Sequence, residues 1–268
     1  MRVTGTADRT KDSGISSAID EAVRRLTDGG ESVFLVARLE PFLREPSPDP
    51  RKALPSKVLL TTLRKIASAL PSAVVDARDP REMLRLTAIP GTVMAGSHGM
   101  DVLHPEGLRT EEPEAVAFIP MLDKAEHSLW NRLHGVRGAF VARSRFVVAV
   151  HADLSEPAVR EAVDEVGGLY RGLRRVGAGA GRCEFRPGMP WDSRLALKRI
   201  RRILDRGERA RPIVIGAAHF DGPALKAAAR LGLGACAGPG TPPEGVLHLP
   251  RTGDLRRFLA ALAAQFVR

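Results

Sequence analysis

"SVFLVARLEP", residues 32–41, decides the fold. Its first half, 33–37, is a short apolar run with β-branched residues, entered from "TDGGE" and closed by charged residues and Pro41. A run of this length between turn residues reads as a strand of a parallel sheet, buried on both faces. In open α/β sheets the loops at the carboxyl ends of the strands build the site. This strand therefore delivers Val36, Arg38 and Glu40 to whatever chemistry the chain performs.

Working outward, helices and strands alternate. "SSAIDEAVRRL" (16–26) predicts a serine-capped helix before the strand, with the polar residues 1–14 left frayed. After a proline-rich connection, 44–55, come a helix over 56–70, a strand over 72–77, a short helix from Pro80 and a strand over 91–96. Strands within 138–153 and at 183–187 then bunch around one helix, 155–173, which indicates an inserted α+β module. The alternation resumes with helices over 190–206, 221–231 and 252–267 and strands over 211–217, 232–237 and 244–250. The fold class expected is α/β: a Rossmann-like parallel-sheet core, 1–103 and 190–268, interrupted by a cap over 104–189.

Composition limits the function classes. Two cysteines with no CxxC spacing argue against a disulfide framework or a structural zinc site and suit a reducing cytosol. No stretch is long and apolar enough for a membrane span, and the N-terminus lacks a signal-peptide core, so a cytoplasmic protein is expected. The net charge of +10 favours anionic partners. Its densest segment, "KRIRRILDRGERAR" (198–211), reads as the solvated face of an amphipathic helix, and no aromatic residues interleave it as a base-stacking platform requires. Nucleic acid is therefore not the expected partner.

Five segments in order carry a resemblance to a known family. "SAVVDARDPREM" (72–83), "AGSHGMD" (95–101), "CEFRPGMPWD" (183–192) and "PIVIGAAHFDG" (212–222), together with the opening strand, resemble the trehalose-6-phosphate phosphatases of the haloacid dehalogenase (HAD) superfamily. The similarity implies a HAD-like core with a cap. It also implies the family's site: a D-x-D-G-T nucleophile and acid/base pair, a Ser/Thr that holds the phosphoryl group, a lysine, and an acidic pair for Mg²⁺.

The departures fall on those positions. Val36 and Arg38 stand where the two aspartates would be, Asp76 at the Ser/Thr, Ser193 at the lysine, and Ala217 and Ala218 at the metal-binding pair. Phosphate-monoester hydrolysis needs acceleration of up to roughly 10²¹-fold. Losing one member of a catalytic unit can cost roughly 10⁶ in turnover. With every member replaced, no catalytic residue and no Mg²⁺ site is expected. Arg38 is predicted to fill the metal's place by pairing with Asp76; the competing expectation is two unpaired charges at a loop rim.

The sugar-side positions are better kept. Gly96, Ser97, His98 and Gly99 match the loop lining the cleft, Glu184 and Arg186 match the cap's acidic and basic positions, and His151 matches its histidine. Arg38 and Arg78 complete the candidate ligand-binding set. Ala152, Asp153 and Ser144 replace the cap's Tyr, Arg and Lys. Structural roles compete at each place: His98 bonding backbone in a tight turn, His151 packed on its strand, Glu184 paired with Arg186, Glu40 solvated and Asp221 capping a helix.

Three functions follow from this reading. The first is a pseudophosphatase acting as a binding or scaffolding subunit, with a trehalose-phosphate synthase as partner and a trehalose-like sugar as ligand. The second is an active sugar-phosphate phosphatase using Arg38, Glu40, Asp76 and His98 in new roles. The third is a polyanion-binding protein.

Overall fold

The structure, a computed structural model, describes residues 6–28, 30–43, 54–177, 181–205 and 209–267. In chain order the elements are α1 (Thr6–Thr27), β1 (Val33–Arg38), α2 (Lys57–Ala69), β2 (Ser72–Val75), α3 (Pro80–Thr87), β3 (Val93–Gly96), β4 (Asp101–Leu103), β5 (Arg109–Glu111), α4 (Pro113–Val116) and α5 (Ile119–Leu133). There follow β6 (Phe140–Ser144), β7 (Val147–His151), α6 (Pro157–Leu169), β8 (Leu173–Gly177), β9 (Arg182–Pro187), α7 (Ser193–Leu204), β10 (Arg211–Gly216), α8 (Ala218–Leu231), β11 (Leu233–Ala237), β12 (Leu247–Leu249) and α9 (Thr252–Phe266). The connection expected over 44–55 lies mostly outside the described residues.

The chain divides into two compact units. The first gathers residues 1–42, 56–73 and 193–268, the second 43–55 and 74–192. The segment 104–189, expected as an insertion, lies wholly inside the second unit, which also takes in α3, β3 and β4.

In the first unit β12, β11, β10 and β1 lie side by side, all parallel, with Val36 opposite Val214 and Ala37 opposite Ile215. Every residue of β1 is buried, as its unbroken apolar run predicts for a strand covered on both faces. The helix α1 begins at Thr6, ten residues before the serine cap expected at Ser16. Nothing from Thr6 to Ser13 breaks a helix, so the polar stretch continues the turn instead of fraying.

In the second unit β3, β4 and β5 are neighbours in that order, both pairings antiparallel. A separate antiparallel sheet runs β6-β7-β9-β8. Its core is built from Val148, Val150, Cys183 and Phe185 against Leu122, Ala125, Leu129 and Leu133 of α5 and Val159, Ala162 and Val166 of α6. Both α5 and β8 were absent from the sequence reading, although the spacing of the four α5 residues is helical. Among the described residues no helix is long and apolar enough to cross a membrane.

Candidate functional site

Within the first unit the carboxyl ends of β1 and β10 come together because the two strands pair in parallel. Val36 is buried and aliphatic there. Two residues on, the Arg38 guanidinium grips the Asp221 carboxylate with two nitrogens, Nε to Oδ2 and Nη2 to Oδ1, the latter at 2.6 Å. Both groups are buried, at 4% and 6% exposure. Phe220 lays its ring 4.9 Å from the guanidinium carbon, a cation–π contact that shields the pair from water.

Asp221 also accepts from the backbone N–H of Ala217 at 2.9 Å, tying the carboxylate to the start of α8. The helix begins at Ala218, before Asp221, so Asp221 does not cap it as expected; it lies in the first turn of α8 and its carboxylate's main partner is Arg38. Gly216 makes room: a Cβ there would lie 2.7 Å from the Asp221 Cβ. Ser193 opens α7, and its hydroxyl accepts from the Ala224 N–H at 3.2 Å. At the rim, His219 stands 3.6 Å from Glu40, and both side chains are largely open to solvent, as the solvated reading of Glu40 expects.

The expected partner of Arg38 lies in the second unit, where Asp76 accepts from the Arg78 guanidinium at 2.9 Å and from the Arg78 N–H at 3.2 Å. Arg38 and Asp76 are both buried and ion-paired, which overturns the alternative of two unpaired charges at a loop rim. The loop after β2 is stitched to the loop after β3 by His98 N–H to Asp76 O, 2.9 Å, and Ser97 N–H to Arg78 O, 3.2 Å. That close approach needs Gly96, where a Cβ would sit 2.4 Å from the Arg78 carbonyl.

Ser97 and His98 then take left-handed backbone, φ 47° and 57°, in a 3₁₀ turn that runs to Gly99. The turn aims the His98 ring at Glu184, with Nε2 to Oε2 at 2.8 Å. This corrects the expectation that the ring bonds backbone; the backbone link is the His98 carbonyl, which accepts from the Trp191 indole at 3.0 Å. The Ser97 hydroxyl lies 3.1 Å from that of Ser144 and accepts from the Phe146 N–H, also at 3.1 Å.

Glu184 is fully buried. It accepts from Arg186 Nε at 2.7 Å and also from Arg182, so the pairing expected with Arg186 is one side of a larger cluster. Burial alone would raise its carboxyl, but His98, Arg182 and Arg186 outweigh that and hold it well below the ordinary carboxylate range. His151, at the end of β7, responds the other way. Burial first, then the positive charge of Arg182 and Arg78, pushes its imidazole down to about 4, leaving it neutral at physiological pH.

His151 forms part of the wall of a cavity of about 260 Å³ in the second unit, with Arg78, Arg182 and the apolar side chains of β6 and β7. Sequence reasoning placed Arg78 and His151 in the candidate set but missed Arg182. Its signal was available: position 182 falls two residues before Glu184 on the same strand face.

As to a divalent cation, the strand-end side chains of the first unit are Val36, Arg38, Ala217, Ala218 and Asp221. With Glu40 at the rim they offer two carboxylates, one already bound to a guanidinium, and this donor set does not fit Mg²⁺. Among the described residues no group of three or more His, Cys, Asp or Glu could hold a metal.

A family model described as trehalose-phosphatase matches residues 42–204. The chain belongs to the trehalose-phosphatase family. The matched span takes in Asp76, the 96–99 turn, Glu184 and Ser193, and lies between Arg38 and Ala217. A trehalose-phosphate phosphatase of Mycobacterium marinum is 33% identical over 173 residues, 62% of this chain and 43% of that protein. The chain thus spans under half the length of that family member.

Solved members of the family share the fold. The C-terminal domain of the Candida albicans trehalose-6-phosphate phosphatase superposes with a TM-score of 0.73 at 13% identity, over 93% of this chain and 96% of that one. A trehalose-6-phosphate phosphatase related protein gives 0.71 at 19%, over 87% and 97%. The HAD-like α/β fold expected of the sequence is the fold of this family.

Proposed function

We propose that this chain is a catalytically silent member of the trehalose-phosphatase family that acts by binding, as a regulatory or scaffolding subunit in the cytosol. The observation that carries the reading is the Arg38–Asp221 pair. A nucleophilic phosphatase of this fold needs a carboxylate to attack phosphorus and a divalent cation to neutralise the developing charge. Val36 has no lone pair to attack with, and Arg38 neutralises the acidic residue that remains in the "GAAHFDG" segment. Asp76 adds negative charge where the resemblance places a phosphoryl group, which weakens phosphate binding as well as turnover.

The partner proposed is an enzyme that makes a sugar phosphate, with a trehalose-phosphate synthase first. The pairing follows from family membership: a fold kept without its reacting groups retains surface and shape as its working parts.

The deciding assay is phosphate release from trehalose 6-phosphate with Mg²⁺ present. No release above background is expected from the purified chain, and none from Val36→Asp, since Arg38, Ala217 and Ala218 still leave the cation without ligands. Turnover that Arg38→Ala abolishes would instead establish an active enzyme with unconventional residues. Co-purification with the synthase tests the partner.

A further inference from the structure

The second sheet has one face under α5 and α6 and another that lines the cavity. Opposed residues of antiparallel strands share a face. On β6 and β7 the opposed pairs are Phe140 with His151, Ala142 with Ala149 and Ser144 with Val147, and on β9 Arg182 stands opposite His151. The cavity floor is therefore Phe140, Ala142, Val147 and Ala149, and its polar end is His151 and Arg182, joined by Arg78. Arg143 and Ser144 add polar groups at the opposite end, and the floor between the two ends is aliphatic and aromatic.

The charge that faces the cavity is mostly positive, although each guanidinium is already paired with a carboxylate. Arg78, Arg143 and Arg182 line the cavity against the single carboxylate of Glu82, which lies 3.7 Å from Arg78. Asp76 and Glu184 anchor Arg78 and Arg182 but do not line the cavity, and Arg143 turns to Asp123 and Glu126. His151, neutral at pH 7, adds a hydrogen-bonding nitrogen without charge.

The volume of about 260 Å³ falls below the roughly 300–1,000 Å³ of pockets that hold drug-sized ligands, so the occupant is small. A disaccharide also carries hydroxyls around its whole surface. Those laid on the floor would give up water without a replacement partner.

We infer that the cavity takes a small organic anion with an apolar body, its acid group at the Arg78–His151–Arg182 end and its body on the Phe140–Val147 floor. The inference rests on the reading of the chain as a binding member of its family, and it names the ligand class.

Isothermal titration of the full chain at pH 7 tests it with benzoate, its uncharged analogue benzyl alcohol, and trehalose. Benzoate should bind about tenfold more tightly than benzyl alcohol, the fold-change of one charge-assisted hydrogen bond. Ala142→Leu, which fills the cavity from a partly exposed position, should weaken benzoate about tenfold or more while the melting temperature holds. Arg182→Gln should weaken it by a similar factor. Benzoate that fails to bind, binds no better than benzyl alcohol or trehalose, or ignores Ala142→Leu overturns the inference. A parallel assay of phenyl phosphate hydrolysis keeps the two readings apart: phenol release would end the silent-site reading, while the benzoate titration alone decides the ligand class.

Discussion

Arg38 and Asp221 are 183 residues apart in sequence and joined by two charge-assisted hydrogen bonds in the buried end of the first unit. Two charges taken out of water lose hydration, and only close, bidentate geometry repays it. Here the geometry is supplied by the parallel pairing of β1 with β10, which brings the last residue of one strand beside the helix after the other. Phe220 closes over the guanidinium and keeps the local dielectric low.

Breaking one partner should therefore be expensive. Arg38→Ala leaves a buried carboxylate uncompensated and is expected to lower unfolding free energy by about 3–5 kcal/mol in urea titrations. Replacing both, as Arg38→Met with Asp221→Leu, should recover most of the loss, because burying neither charge removes the desolvation cost. Equal losses in the single and double variants would mean that the pair is not coupled.

Glu184→Gln should behave similarly for a different reason. Its carboxylate is shared by His98, Arg182 and Arg186, so neutralising it leaves two guanidiniums without their common counter-charge. A loss of about 3 kcal/mol is expected by thermal melting. A loss under about 1 kcal/mol would show the cluster to be solvated in solution.

Gly96→Ala tests the seam between the loops after β2 and β3. The new Cβ would meet the Arg78 carbonyl at 2.4 Å and Pro80 Cδ at 2.6 Å, both on rigid backbone or ring atoms. Forcing them apart should cost about 2–3 kcal/mol or more. Gly135→Ala, where a Cβ meets nothing within 4 Å, is the control and should be close to neutral. Matching melting temperatures for the two variants would contradict the close approach.

His151 sets a pH dependence. Its imidazole is pushed from 6.5 to about 4 in the fold, so between those values the unfolded chain binds a proton that the native state does not. Stability contributed by the neutral ring is thus present above 6.5 and lost as pH falls toward 4. The loss should amount to about 2 kcal/mol, less than the full shift implies because the ring is only partly buried. His151→Gln should flatten the stability profile in that window. Glu184 acts lower down: its depressed carboxyl contributes stability above the ordinary value of 4.5, lost as acid protonates it.

Much of the scaffold was legible. The apolar run of β1, the start of α3 at Pro80 and the closing helix α9 could be read from neighbouring residues, since periodicity and helix-start signals act over one or two turns. Misses came where a local signal was weak or went unread. β8 carries "LRRVG" with mostly exposed side chains and no clear alternation, and α5 hides its Leu122–Leu133 stripe among polar residues. At the site, Glu184 with Arg186 followed from their spacing on one strand face, whereas His98 with Glu184 did not. The left-handed turn at Ser97 and His98 redirects the ring, and no periodicity announces such a turn when the residues are not glycine.

By itself, then, the sequence determined which chemical groups the strand ends carry: an aliphatic and a guanidinium in the last residues of β1, two alanines after β10, a single acid in α8. Tertiary structure decided what those groups do. It set Asp221 against Arg38 and gathered His98, Arg182 and Arg186 around Glu184. It also turned the polar end of the second sheet into one wall of a cavity. The physical reason is that side-chain identity is a local property, while the cost of a buried charge is set by what else is buried with it, and that depends on register and packing between distant segments.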